Sequence, residues 1–491
     1  LENENTEKMK AKYPYRFSIQ VVFCSFAFLI SSCKKFVQIG SPTTQLVTSS
    51  VFSNSASATS AVLAIYIQMF NNTESYNIAE DQGLLSDELT NYSTNVNQVQ
   101  YYTNALEPLE SPGEWVHAYN YIYQANAIIS GLQNNGQIAA SIAEQLTGEA
   151  KFIRAFWHFY LTNMYGNIPI VTTTDYTVNE SLSRSSQAQV YSQITQDLQD
   201  AESLLNSNYV DATDTAITSQ RVRPTKGAAE ALLARVYLYQ GKYDSAETAA
   251  SNVINNSLYM LSPNLSGPKN SVFLMNSSEA IWQLSTPLPN LNNTLDAQYF
   301  ILLGAPSGTT GTFNSTTLSP ELLNSFEPGD LRRSNWIDSI IKSGVPYYFP
   351  YKYHAVNTTT LTEFTMVMRL AEQYLIRAES EAELNDLTDA ATDLNVIRNR
   401  AGLSNISNSI ASSQTTLLTA ILHERQVELF TEWGHRWFDL IRTGTVNAVM
   451  GSPDNVCQMK GGTWNPDWQL YPIPQTEITN DANLTQNLGY N

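Results

Sequence analysis

Residues 368–403, MRLAEQYLIRAESEAELNDLTDAATDLNVIRNRAGL, restrict the fold more than any other stretch. Leu370, Tyr374, Ala378 and Ala382 fall on one helical stripe, with charged residues on the opposite side. Asn385-Asp386 interrupts the pattern. It resumes at Leu387, Ala390, Leu394, Ile397 and Ala401 and stops at Gly402. Glycine just past the last periodic residue ends a helix, because it takes a left-handed conformation without a Cβ clash. The stretch therefore predicts an antiparallel helix hairpin, and its alanines let the two helices sit close.

The pattern recurs at 226–255, where Ala234, Gly241 and Ala246 have the spacing of Ala378, Asn385 and Ala390. LLARVYLYQGKYDSAE resembles a tetratricopeptide repeat, with a small residue, a tyrosine, a turn glycine, an aromatic and a small residue in that order. Such repeats point to stacked helix pairs, none of which can bury its apolar face alone. These residues are read as frame.

A chain of 491 residues, 43% hydrophobic, has material for a large core. Its net charge of -18 argues against a nucleic-acid partner. The three cysteines, Cys24, Cys33 and Cys457, give neither a disulfide framework nor a zinc spacing. The five histidines are scattered singly, so no metal site and no cofactor is expected.

The front of the chain reads as an address. Lys10, Lys12 and Arg16 precede an apolar run that ends in Ile30-Ser31-Ser32-Cys33. A basic region, a short apolar region and small residues make a secretory signal, and the run is short for a membrane span. The last four residues resemble a bacterial lipobox, which predicts lipidation of Cys33. Two or three acyl chains would anchor the protein lastingly, at ~0.8 kcal/mol per buried CH2. Residues 1–33 are thus expected to be signal peptide up to the lipidated cysteine, 34–60 a Ser/Thr-rich tether and 61–491 the folded body.

Within the body, helices are predicted at 61–70, 115–132, 143–165, 187–205 and 421–444, the last breaking near Gly434. A polar region with Glu80, Asp81, Asp87 and Glu88 follows the first helix, and 168–172 is read as a short extended segment. From about 257 to 367 helical periodicity fades, and Gly, Pro, Ser, Asn and Thr punctuate short β-like runs such as Ala280–Leu284. An insertion of this size on a rigid frame commonly carries binding.

Five blocks in order resemble the SusD/RagB family of outer-membrane nutrient-binding lipoproteins. They are EAKFIRAFWHFYLTNMYGNIPIVT, RPTKGAAEALLARVYLYQGKYDSA, RLAEQYLIRAESEAELNDLTDAATDLNVIRNRAGL, HERQVELFTEWGHRWFDLIRTG and YPIPQTEITNDANLTQNLGYN, and they reach from Glu149 to the C-terminus. The resemblance implies a mainly α fold, a SusD-like superhelix of tetratricopeptide-like helix pairs with a large irregular insertion. It also implies glycan binding, and a partner: a TonB-dependent β-barrel of the SusC type, over which this subunit sits as a lid. Captured oligosaccharide would pass into the periplasm, and the lid itself would need no catalysis. The expected location is the outer membrane, lipid-anchored and facing the exterior. Surface lipoproteins of these bacteria often carry acidic residues after the anchoring cysteine, whereas Lys34-Lys35 stand there in this chain.

Catalysis needs a positioned acid, base or nucleophile. His423-Glu424 opens like a zinc-protease motif, but Val427 stands where the second histidine is required. Glu424, Glu428, His435, Arg436 and Asp439 form the densest polar cluster and are read as paired groups tying helices together. No catalytic residue is assigned. Two rival readings stay open: a glycoside hydrolase, which needs two facing carboxylates, and a repeat-based protein-interaction scaffold. Sugar binding asks instead for aromatic rings on the C–H face and polar groups at the hydroxyls, carried by loops. The candidates in polar, non-periodic segments are Asp87, Tyr92, Tyr101, Tyr102 and Tyr299, with Arg369 after the insertion and Trp464 and Trp468 in a Gly/Asn-rich loop.

Overall fold

The computed structural model describes residues 48–491 apart from 109–112, 264, 266–270, 288–292, 307–313 and 491. Cys33 and the expected signal peptide lie outside the described residues, as does most of the expected tether.

The long helices carry the frame: α1 Ser55–Asn71, α2 Glu74–Leu85, α3 Glu114–Leu132, α4 Ala140–Tyr165, α5 Gln187–Leu204, α6 Lys226–Tyr239, α7 Tyr243–Ile254, α8 Leu370–Glu383, α9 Leu387–Arg400, α10 Gln414–Leu429 and α11 His435–Arg442. From α3 to α9 each packs on the next, and α10 closes on α8 and α9. The two hairpins read from the sequence share their turn. Gly241 and Asn385 both take positive φ, 66° and 69°. In each, the next residue's N–H reaches back into the last helical turn, Lys242 to Tyr237 at 2.9 Å and Asp386 to Glu381 at 2.7 Å. That bond satisfies a carbonyl the helix end would otherwise orphan. Gly402 ends α9 at φ 79°, as its position predicts.

Four readings change. The helix predicted from 421 starts at Gln414. The helix predicted at 61–70 starts at Ser55, where the Asn54 side chain caps it at Ser57 N–H, 3.0 Å. The small residues of its first turn gave no apolar period to reveal it. The polar region after it opens as α2, a largely buried helix that carries Glu80 and Asp81, with Asp87 and Glu88 just beyond its end. Between 168 and 172 only Ile168 makes a strand contact, a bridge to Ser185.

The insertion leaves after α7 and returns at α8, yet α7 and α8 pack directly together. Strand β2 (Ala280–Leu284) accordingly pairs antiparallel with the strand at 365–369, Ala280 facing Arg369 and Leu284 facing Thr365. That strand runs straight into α8, where Leu370 N–H donates to Glu279 C=O at 2.9 Å. The superhelix is therefore continuous beneath the insertion.

The charged cluster ties this junction together. Arg369 Nη1 donates to Glu428 at 2.6 Å and Glu279 at 3.0 Å, and its Nε to Glu432 at 2.8 Å. Arg332 holds Glu424 at 2.7 Å and Glu428 at 2.9 Å. Arg400 joins Glu279 to Glu428. All of these groups are buried or nearly so. Asp439 likewise takes Arg425 at 2.8 Å and Arg442 at 2.7 Å. The chain between α10 and α11 turns sharply, with Thr431, Trp433 and Gly434 at positive φ. A Cβ on Gly434 would stand 2.5 Å from Gln82 Cγ of α2, so close approach as well as φ demands glycine there. Among the described residues no helix is long and apolar enough to cross a membrane.

Candidate functional site

Strand β1 (Leu89–Asn91) runs antiparallel to Thr316–Leu318 in the insertion, Leu89 facing Leu318 and Asn91 facing Thr316. Tyr92 follows β1, and its N–H donates to Ser315 C=O at 2.8 Å. The next turn is pinned by side chains: Ser93 N–H donates to Asn91 Oδ1 at 2.8 Å, and Asn95 Oδ1 caps the helix Val96–Tyr102 at Asn97 N–H, 3.0 Å. Gln98 of that helix donates to Glu80 at 3.1 Å and to Ser315 Oγ at 3.2 Å. Helix and strand pair are thereby fixed to α2. A turn held this way projects its side chains without ordering cost at the moment of binding.

Tyr92 is 40% exposed, and its ring meets Tyr347 edge to face at 5.7 Å. Tyr347 lies on a hairpin of Ile337–Lys342 and Val345–Pro350, closed by Ser343-Gly344 at φ 51° and 82°. Positive φ at both central residues is the turn that matches strand twist. On the other face of the same strand, the Arg333 guanidinium lies 4.9 Å over the Tyr348 ring. Tyr102 closes the rim, half-buried. Burial raises its hydroxyl pKa, and the neighbouring Glu321 carboxylate adds to the shift. The ammonium of Lys460 stands 5.3 Å from the Tyr102 ring and donates to three carbonyls, Leu84, Leu85 and Ser86. Tyr299 is joined to the strand pair of β1 and 316–318 through its backbone, since Asn314, beside Ser315, donates its side-chain amide to Tyr299 C=O at 2.8 Å. Its ring meets Tyr76 edge to face.

Three sequence candidates sit away from solvent. Arg369 is 1% exposed and spent on three carboxylates, so no donor is left for a ligand. Asp87 is buried and takes the Arg436 fork at 2.7 and 2.6 Å. Burial pushes its carboxyl up, but Arg436 outweighs that and holds it below its ordinary value. Tyr101 is 3% exposed, its ring against Tyr471. All three are frame groups, and their polar sequence surroundings concealed it. Trp464 donates to Asn447 Oδ1 at 2.9 Å and lies edge-on to Trp437. Trp468 lines a separate cleft. Tyr92 and Tyr102 therefore come together, with Tyr299 near, and neither Tyr347 nor Tyr348 is among the sequence candidates. Their signal was there: a Ser-Gly turn followed by VPYYFPYKY, dense in aromatics and without helical period.

Glu327, His423 and Glu424 are the one group among the described residues close enough to share a cation. Arg398 already occupies that place, donating to Glu327 at 2.5 Å and Glu424 at 3.1 Å. His423 Nε2 is bound to Ser325 C=O at 2.7 Å. A guanidinium among the carboxylates supplies the charge a metal would bring.

Two family models match the chain: one described as the SusD family over residues 342–490, the other as starch-binding associating with outer membrane over residues 43–238. A SusD-like protein of Formosa agariphila is 25% identical, over 93% of this chain and 96% of its own length. The starch-binding protein SusD of Bacteroides thetaiotaomicron is 35% identical over a shorter stretch, 25% of this chain and 21% of its own. Among solved structures, a laminarin-binding SusD-like protein superposes with a TM-score of 0.70 at 25% identity, over 88% of this chain and 99% of that one. The helix-pair frame, the returning insertion and these matches agree: the chain belongs to the SusD/RagB family.

Proposed function

We propose that this chain is a lipid-anchored, non-catalytic glycan-binding subunit of the outer membrane that captures oligosaccharides and hands them to a SusC-like TonB-dependent transporter. The observation that carries the reading is the Tyr92–Tyr347 pair, set on a turn and a hairpin strand outside the helix frame, with Tyr102 beside it. Rings of this kind stack on the C–H face of a sugar. The amides and hydroxyls of the adjoining turns supply partners for its hydroxyl groups. The names of the laminarin-binding neighbour and of the starch-binding relative support the same ligand class. The buried carboxylates of the α8–α11 junction are engaged by arginines, which speaks against their use as a hydrolytic pair. Cys33 would carry the anchor, and the anchored chain would close over the barrel.

The test uses the mature protein with a panel of oligosaccharides, reading both retention and products. Binding without turnover is expected, and Tyr92→Ala with Tyr347→Ala should remove the rim's share of it while the melting temperature stays near wild type. Turnover that one carboxylate substitution removes would replace this reading with the hydrolase. In the native membrane, Cys33→Ala should release the protein from the outer membrane, and a β-barrel transporter should co-purify with the unaltered chain. Capture of soluble proteins alone would favour the interaction scaffold.

A further inference from the structure

The geometry points to a second saccharide subsite, for a neutral pyranose, in the cleft between Trp468 and the segment around Leu106. This inference rests on the glycan-binding reading above. The cleft encloses about 440 Å³, within the range of about 300–1,000 Å³ typical of small-molecule sites. None of the residues named for the Tyr92–Tyr347 rim lines it.

Its wall is built rather than incidental. Trp468 sits in a turn where its N–H donates to Asn465 C=O at 2.9 Å and Asn465 Oδ1 accepts Asp467 N–H at 3.1 Å. The indole Nε1–H donates to Gly489 C=O at 3.1 Å. The ring stacks on Tyr490, with centroids 6.4 Å apart and planes 25° apart. Tyr490 is 5% exposed, and its hydroxyl donates to Leu470 C=O at 2.8 Å. Gly489 has φ 88°, and a Cβ there would stand 2.8 Å from Asp467 Cβ and 3.2 Å from the indole. Glycine is thus required for the indole to lie against the backbone.

The consequence is chemical. With its N–H engaged inside the protein, the half-buried indole offers a ligand only a rigid carbon surface. Leu106 adds an apolar floor, while Glu107 and Gln475 stand exposed in the lining. An apolar face with a carboxylate and a carboxamide nearby matches a pyranose, whose ring C–H groups stack while its hydroxyls take hydrogen bonds. Among the lining residues Glu107 is the one charged group, and the chain carries a net charge of -18. A uronate or sulfated sugar would meet repulsion without a counter-charge, so the ligand class is neutral.

The experiment compares wild type, the Tyr92→Ala/Tyr347→Ala protein, and that protein with Trp468→Ala or Gln475→Ala added. Calorimetry and tryptophan fluorescence are read with laminarihexaose, maltohexaose and an oligogalacturonate. The rim variant should still show indole quenching by at least one neutral hexasaccharide and none by the oligogalacturonate. Trp468→Ala should remove the residual binding by about tenfold or more, and Gln475→Ala, which leaves the Tyr490 stack intact, by a few-fold. Loss of all quenching in the rim variant overturns the second subsite while leaving glycan binding standing. So does tighter binding of the acidic oligomer, or residual binding indifferent to both added substitutions. Wild-type protein that binds no panel member sinks the glycan-binding reading itself.

Discussion

Two buried acidic regions of this molecule hold the same residue types in opposite states. At the α8–α11 junction, carboxylates are matched by arginines. Burial pushes Glu428 up, but Arg400, Arg369 and Arg332 overwhelm it and hold the carboxyl far below its ordinary value. Glu372 is opposed by burial in the same way, yet Arg235, His435 and Arg425 bring it to about 2. Under the aromatic rim of Tyr92 and Tyr347 the carboxyls have mainly tyrosines and one another for company. Burial, helped by the Asp87 carboxylate, pushes Glu88 to about 8 against the weaker pull of Arg436 and Lys352. Asp81 and Glu114 share a site, and burial drives both upward, with their mutual repulsion adding to Asp81. Burial also raises Glu80, although Tyr76 and Gln98 hydrogen-bond to it. The comparison teaches that burial alone does not decide whether an acid is charged. The counter-ion does.

The sharpest way to break the contrast is Arg369→Met. It leaves Glu279, Glu428 and Glu432 short of a shared cation, and loss of one partner from a buried network costs ~3–5 kcal/mol. Urea denaturation should show that loss, or no cooperative transition at all. A cost under ~1 kcal/mol would mean that the network is replaceable by packing.

The two regions should respond to pH with opposite sign. A carboxyl raised to about 8 from 4.5 contributes stability below 4.5 and loses it as pH climbs through 8. A carboxyl lowered to about 2 contributes above 4.5 and loses it as pH falls through 2. Alkali should therefore loosen the floor of the rim, and acid the helix junction. Glu88→Gln should recover on the order of 1–3 kcal/mol of stability at pH 9 and little at pH 5. Thermal melts at the two pH values decide it, and equal effects would remove the distinction. Amide exchange around Tyr92 and Gln98 should quicken at pH 9 in wild type and less in the variant.

Smaller effects sharpen the comparison at its edges. Tyr92→Ala should weaken saccharide binding by about tenfold, the scale of one anchor contact. It should cost less than ~0.5 kcal/mol in stability, as surface positions do. Calorimetry and urea titration together separate the two. The Lys151–Asp200 pair is partly open to solvent, at 19% and 35% side-chain exposure. Its double-mutant cycle should yield under ~1 kcal/mol, in contrast with the enclosed arginines.

The frame was legible because helix periodicity and turn chemistry are local. Gly241, Asn385 and Gly402 could be placed by spacing alone, and each has the positive φ that its position requires. The site was legible only in part. Tyr92 and Tyr102 stand in polar surroundings and are partly exposed, but Asp87 and Tyr101 share those surroundings and are buried. What separates them is the long-range approach of Arg436 and Tyr471, which no window of sequence contains. The burial of Arg369 is hidden from the sequence for the same reason, its partners lying on β2's approach and on α10. Tyr347 needed the hairpin register before it could be set beside Tyr92.

Because α7 meets α8 across the base of the insertion, the excursion between them behaves like a cassette clipped at its two ends. Chimeras cut at those clips should exchange the Tyr347 half of the aromatic rim between relatives while the load stays on the helices. The clasp travels with the graft only if Glu279 and Arg369 are kept together, which makes that pair the natural suture for redesign.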